Sequence, residues 1–201
     1  IAANQKWHVN LIDVAQAYVA SDMDVEMYMR VPPELVDAIR SEPNDSRSGD
    51  WMKNITDVDH LLDNPRMYMT RVRKALYGAK QSGRLWFGHA SEKLIAAGYV
   101  QCSKDPCVFS TRNDDGSLKG IVVMYVDDFL YLGSASAFNG FHKQISKDFD
   151  VTIGSTDQRD VKIWNGLEIR RLDDGRISVT QVSKIREMAR EYKIVLDGLD
   201  N

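Results

Sequence analysis

The chain has 201 residues, 43% hydrophobic and 27% charged, with a formal charge of −3 and a pI near 5.8. That is the composition of a globular chain long enough to bury a core, and its acidic balance argues against a generic polyanion binder, leaving local charge to decide. No run reaches the roughly 18 apolar residues of a membrane span, and Ile1–Trp7 lacks the basic-then-apolar pattern of a signal peptide.

Residues Trp7–Val14 alternate, with Trp7, Val9, Leu11 and Asp13 on one face of an expected strand. An acid ending an apolar face must be paired, metal-bound or at a solvated tip. Ala17-Tyr18 follows. Glu26–Arg30 reads as a short strand stopped by Pro32-Pro33, and 41–65 as a polar surface insertion with a short helix near Asp57–Leu62. His60 there reads as a surface residue. Arg66–Arg84 holds six basic residues and no acidic one, with Tyr68, Tyr77 and Gly78 interleaved. Such a segment suits phosphates and stacked bases, although a solvated basic face has the same composition.

Ser82 is expected to cap a helix from about Arg84 to Ala97, with Trp86, Ala90, Leu94 and Ala97 inward and Gly98 ending it. Cys107–Thr111 reads as a strand. Cys102 and Cys107 are the only cysteines and read as reduced thiols of an intracellular protein. Gly120–Gly133 holds two apolar runs around Asp127-Asp128, the pattern of a β-hairpin with carboxylates at its tip. Adjacent like charges there fit a divalent-metal site, and equally a plain Asp-Asp turn. Ser136 is expected to cap a helix to Phe149, carrying Phe138, Phe141 and Ile145. Val161–Arg171 and Arg176–Thr180 read as a strand pair, and Gln181 to about Ile194 as an amphipathic helix with Val182, Ile185, Met188, Ala189 and Tyr192 inward. The expected class is α+β, with helices behind an antiparallel sheet.

Asp13 and Asp127-Asp128 lie more than a hundred positions apart, and each ends an apolar strand. Together with IDVAQAYV (12–19), VEMYMRVPPEL (25–35), RVRKALYGAKQSGRLWF (71–87), KDPCVF (104–109), MYVDDFLYLGS (124–134), NGLEIRR (165–171) and TQVSKIREMAREY (180–192), they make the chain resemble the reverse transcriptase of copia-type LTR retrotransposons. The resemblance covers nearly everything except 41–65. It implies a polymerase palm, a ferredoxin-like antiparallel sheet with helices on one face, with partial fingers and a thumb barely begun at 181–201. The whole of 1–201 would then be a piece of a Pol polyprotein, with basic fingers residues upstream of Ile1.

The activity implied is RNA-directed DNA synthesis, by two-metal transfer of a nucleotide from a dNTP to a primer 3′-OH. Asp13, Asp127 and Asp128 would be the catalytic acids. With the Val14 carbonyl they would hold two Mg²⁺ ions, or Mn²⁺. Tyr18 falls at the steric gate against ribonucleotides, and Tyr77, Gly78 and Lys80 match the nucleotide pocket. Arg73, Lys74, Arg84, Tyr125 and Val126 would meet primer or template, and Gly166, Leu167 and Glu168 match a primer-gripping hairpin. Partners implied are an RNA template, a DNA or RNA primer, dNTPs, and the integrase and RNase H of the polyprotein, with no membrane. The setting implied is intracellular, in a cytoplasmic virus-like particle or the nucleus. Two departures stand out: Ser82-Gly83 replaces the family's usual Ala-Pro, and Asn165 its usual Leu. Two other readings stay open, a relic that binds nucleic acid without polymerising and another two-metal palm enzyme such as a nucleotidyl cyclase. Activity of this piece alone is not expected.

Overall fold

The computed structural model describes residues 1–41, 58–155 and 157–192. Most of the insertion expected at 41–65 and the end of the last expected helix lie outside them. Eleven strands and five α-helices are found among the described residues. The helices are α1 (Pro33–Ser41), α2 (Val58–Asp63), α3 (Ser82–Ala96), α4 (Ala135–Ile145) and α5 (Val182–Glu191). The architecture is α+β and mainly antiparallel, as the sequence predicts.

The main sheet has six strands in the order β4-β5-β6-β7-β1-β8. These are β1 (His8–Val14), β4 (Val100–Gln101), β5 (Val108–Arg112), β6 (Leu118–Tyr125), β7 (Asp128–Gly133) and β8 (Val151–Ile153), every pair antiparallel. On one face, Ile12, Val122, Phe129 and Tyr131 meet Trp86 and Leu94 of α3 and Phe138 and Phe141 of α4. Each large side chain so buried contributes roughly 1.5–3 kcal/mol. Tyr131 lies flat over Gly120 and Gly133, where a Cβ would come within 2.6 and 2.7 Å of its ring atoms or hydroxyl. Those two glycines make the space that the ring fills.

The opposite face is not bare. A second sheet, β11-β10-β9, packs Ile169, Trp164 and Ile177 against Val9, Leu130 and Leu132. Its strands are β9 (Lys162–Trp164), β10 (Leu167–Arg171) and β11 (Ile177–Thr180). The single strand expected over Val161–Arg171 is therefore two, broken at Asn165-Gly166. Both residues take positive φ, 47° and 76°, as a two-residue Asn-Gly hairpin turn requires. A third pair, β2 (Tyr28–Arg30) with β3 (Met69–Arg71), sits beside a small core of Val31, Val36 and Leu61.

Several expectations are corrected. Pro33 opens α1 instead of merely ending a strand, because the missing N–H of proline costs nothing in a first helical turn. Ser82 does not cap α3; it lies inside the first turn and donates to the Leu76 carbonyl at 2.6 Å. Ser134, not Ser136, caps α4 by accepting from the Ala137 N–H, and that helix ends at Ile145. Of the stripe expected inward on α5, Ala189 is buried while Ile185, Met188 and Tyr192 are exposed. An amphipathic pattern gives a helix an apolar face but does not supply the surface that covers it. Both cysteines are free, and among the described residues no helix is long and apolar enough to cross a membrane.

Candidate active site

The register of β1 on β7 runs from His8 opposite Gly133 to Asp13 opposite Asp128. Cross-strand partners share a face, so these two carboxylates stand side by side at the open end of the sheet. Asp127 occupies the turn between β6 and β7, and its carbonyl accepts from the Val14 N–H at 2.9 Å. The two segments that the sequence singled out thus meet in one place.

The turn is built under strain. Val126 has φ of 52°, an unusual conformation for a β-branched residue. Its carbonyl accepts a 2.6 Å hydrogen bond from the Trp86 indole. Trp86 itself is fully buried against Phe129 and Phe149. Sequence reasoning placed it in the core and missed this second task, which no periodicity signals. Tyr125 pairs with Asp128 and meets Trp164 of β9 edge-on at 6.4 Å, bringing the second sheet up to the acids.

Burial, then the charges of Asp127 and Asp13, push the Asp128 carboxyl up. Among the described residues no lysine or arginine forms an ion pair with any of the three. Nor, among those residues, do three or more His, Cys, Asp or Glu side chains gather closely enough to hold a metal ion as they stand. The donor set is nevertheless all oxygen, with no thiolate or imidazole, which suits a hard divalent cation.

Tyr18 follows β1 in a 3-10 turn, and Tyr77 tilts against it with ring centroids 4.4 Å apart. Desolvation, then the charges of Asp127, Tyr18 and Asp13, raise the Tyr77 phenol. Gly78, with φ of 89°, gives the chain its turn after Tyr77. Arg73 and Lys80, on either side of Tyr77 in sequence, are exposed. Lys74 is paired with Asp22 at 2.7 Å and Arg84 with Asp24. Glu168 caps α5 by accepting from the Ser183 N–H, while Gly166 completes the turn from β9 and Leu167 opens β10 opposite Trp164.

A family model described as reverse transcriptase (RNA-dependent DNA polymerase) matches residues 54–195. The Retrovirus-related Pol polyprotein from transposon RE1 of Arabidopsis thaliana is 26% identical over 178 residues, 87% of this chain and 10% of its own length. That from transposon TNT 1-94 of Nicotiana tabacum is 25% identical over 152 residues, 75% of this chain and 10% of its own. The Transposon Ty1-BL Gag-Pol polyprotein of Saccharomyces cerevisiae is 24% identical over 175 residues, 85% of this chain and 8% of its own. The chain spans about a tenth of the length of these relatives.

Proposed function

Because the chain belongs to the reverse transcriptase (RNA-dependent DNA polymerase) family, we propose that it is the palm, with part of the fingers, of an RNA-directed DNA polymerase in a transposon Pol polyprotein. The observation that carries this reading is the pairing of Asp13 with Asp128 at the end of the main sheet, with Asp127 in the adjoining turn and the Tyr18–Tyr77 pair beside it.

Asp13, Asp127 and Asp128, with the Val14 carbonyl, would hold two Mg²⁺ ions or Mn²⁺. Bound there, the ions would supply the positive charge that acidifies a primer 3′-OH and neutralises triphosphate oxygens. Burial and, after it, repulsion from Asp127 and Asp13 raise the Asp128 carboxyl, and such charge would relieve that repulsion. Tyr18 sets the floor under the incoming sugar and excludes a 2′-OH. Tyr77 and Gly78 form the wall of the nucleotide pocket, and Lys80 meets its phosphates. Tyr125 and Val126 lie under the primer terminus, with the Asn165-Gly166 hairpin, Leu167 and Glu168 alongside the primer strand. Arg73 faces the template directly, whereas Lys74 and Arg84 do so by giving up exposed ion pairs that water screens. Integrase and RNase H of the polyprotein complete the partner set, within an intracellular particle or the nucleus.

The test is primer extension on an RNA template with dNTPs, by a Pol polypeptide that contains this chain. Asp127→Asn should abolish extension, and extension at the wild-type rate would end the assignment. A second reading, nucleic-acid binding without polymerisation, is favoured by the carboxylates not being gathered to hold an ion as they stand. The same Pol polypeptide separates the two: one that binds the primed template without extending it supports the second.

A further inference from the structure

The segments that leave the tyrosine pair run side by side as a two-stranded ladder. The Ala75 N–H donates to the Ser21 carbonyl at 3.0 Å, Met23 to Arg73 at 2.8 Å and Val72 to Met27 at 2.8 Å. Beyond these, Tyr28 pairs with Arg71, Met29 with Thr70 and Arg30 with Met69. At about 3.3 Å per residue the ladder from Ala75 to Met69 spans at most roughly 20 Å.

Cross-strand partners and alternate residues share a face, so Tyr28, Arg30, Met69 and Arg71 lie together. All four are exposed, Tyr28 at 50% and Met69 at 63%. Neither Arg30 nor Arg71 has a carboxylate partner among the described residues, in contrast to Lys74 and Arg84 closer to the site. An acid borders the face, for Glu26 accepts a 2.6 Å hydrogen bond from the Tyr28 hydroxyl. That bond leaves the ring itself open. Two uncommitted guanidiniums, an aromatic ring and a thioether in a chain of net charge −3 complement a polyanion that carries flat apolar groups.

We propose that this face of the β2–β3 ribbon binds single-stranded nucleic acid. Arg30 and Arg71 pair with phosphates, for which the guanidinium fork is shaped. A base stacks on Tyr28, with Met69 packing beside it, and such stacking requires a base freed from its duplex. The strand then follows the ladder toward Tyr18 and Tyr77. The direction of the strand rests on the polymerase reading, whereas the binding itself does not.

Fluorescence anisotropy of a labelled oligo(dT), titrated with the 201-residue chain at several KCl concentrations, tests the face. Arg30→Ala/Arg71→Ala should reduce the slope of log K against log salt by about 1.4, at ~0.7 for each phosphate contact on a single strand. Tyr28→Ala should weaken binding roughly tenfold while Tyr28→Phe binds as wild type. Unchanged thermal melting shows that these exposed substitutions leave the fold intact. If oligo(dT) is not bound by the wild-type chain, the proposal fails, while primer extension still judges the polymerase reading. Binding that survives all three substitutions but drops in Arg73→Ala removes the face and keeps that reading. If the double arginine variant turns a dimer into a monomer in sedimentation without weakening oligo(dT) binding, the face is a contact between copies and the proposal is overturned.

Discussion

The Trp86 indole and the Val126 carbonyl, 40 positions apart in sequence, are joined by a 2.6 Å hydrogen bond that ties the helical core to the turn bearing Asp127. Left-handed backbone at a β-branched residue costs about 1–2 kcal/mol, so the core holds the turn against its local preference. Trp86→Phe should cost about 1 kcal/mol through loss of that bond. Val126→Gly should gain about 1 kcal/mol because glycine accepts positive φ. Urea denaturation reads both, and a Val126→Gly variant less stable than wild type would mean that the turn stores no strain.

Asp128 makes stability depend on pH. Its carboxyl is raised in the folded chain by burial and by Asp127 and Asp13. The folded state therefore keeps a proton that the unfolded chain has already lost, and stability falls as pH rises from the ordinary carboxylate range through the raised value. In EDTA at neutral pH, Asp128→Asn should be more stable by about 0.5 kcal/mol, roughly 1–2 °C in melting temperature. The gap should close as pH is lowered. Added MgCl₂ should raise the melting temperature of wild type and not of the variant; an equal rise in both would remove Asp128 from the metal site.

Gly120 and Gly133 answer to the same tyrosine in different ways. A Cβ on Gly120 meets chiefly the Tyr131 hydroxyl, at 2.6 Å, whereas one on Gly133 also meets a ring carbon at 2.7 Å. Each alanine substitution should cost about 1–3 kcal/mol by overpacking. Tyr131→Phe should recover most of the loss for Gly120→Ala and little for Gly133→Ala. Chemical denaturation of the two double mutants decides it.

Tyr18 should govern sugar selection. Tyr18→Ala is expected to raise ribonucleotide incorporation at least tenfold relative to dNTPs, measured by single-nucleotide extension. An unchanged ratio would remove the gate assignment. Tyr77→Phe, which keeps the ring contact with Tyr18 and removes only the phenol hydroxyl, should leave that ratio alone.

The acids were legible because charges interrupt otherwise apolar runs, and alternation alone set Asp13 on the face of Val9 and Leu11. What alternation could not give was the pairing of β1 with β7, which depends on contacts remote in sequence. β3 and β8, three residues each, are too short for any period to register. The Asn165-Gly166 turn had its signal in the sequence, but the apolar residues on both sides made one strand the simpler reading. The exposed stripe of α5 marks a different limit, since pattern shows which side is apolar and never what meets it.

β1 lies between β7 and β8, yet it is made first and its neighbours much later. At ~5–20 residues per second, the roughly 100 intervening residues take about 5–20 s to synthesise. Through that interval an apolar strand has neither edge paired, which is the condition in which nascent chains seek foreign partners. The same delay means that Asp13 meets Asp128 only once the main sheet has closed. Assembly of the acidic site is then a late event in the life of the chain, and chaperone dependence during translation should track the length of the segment between these two strands.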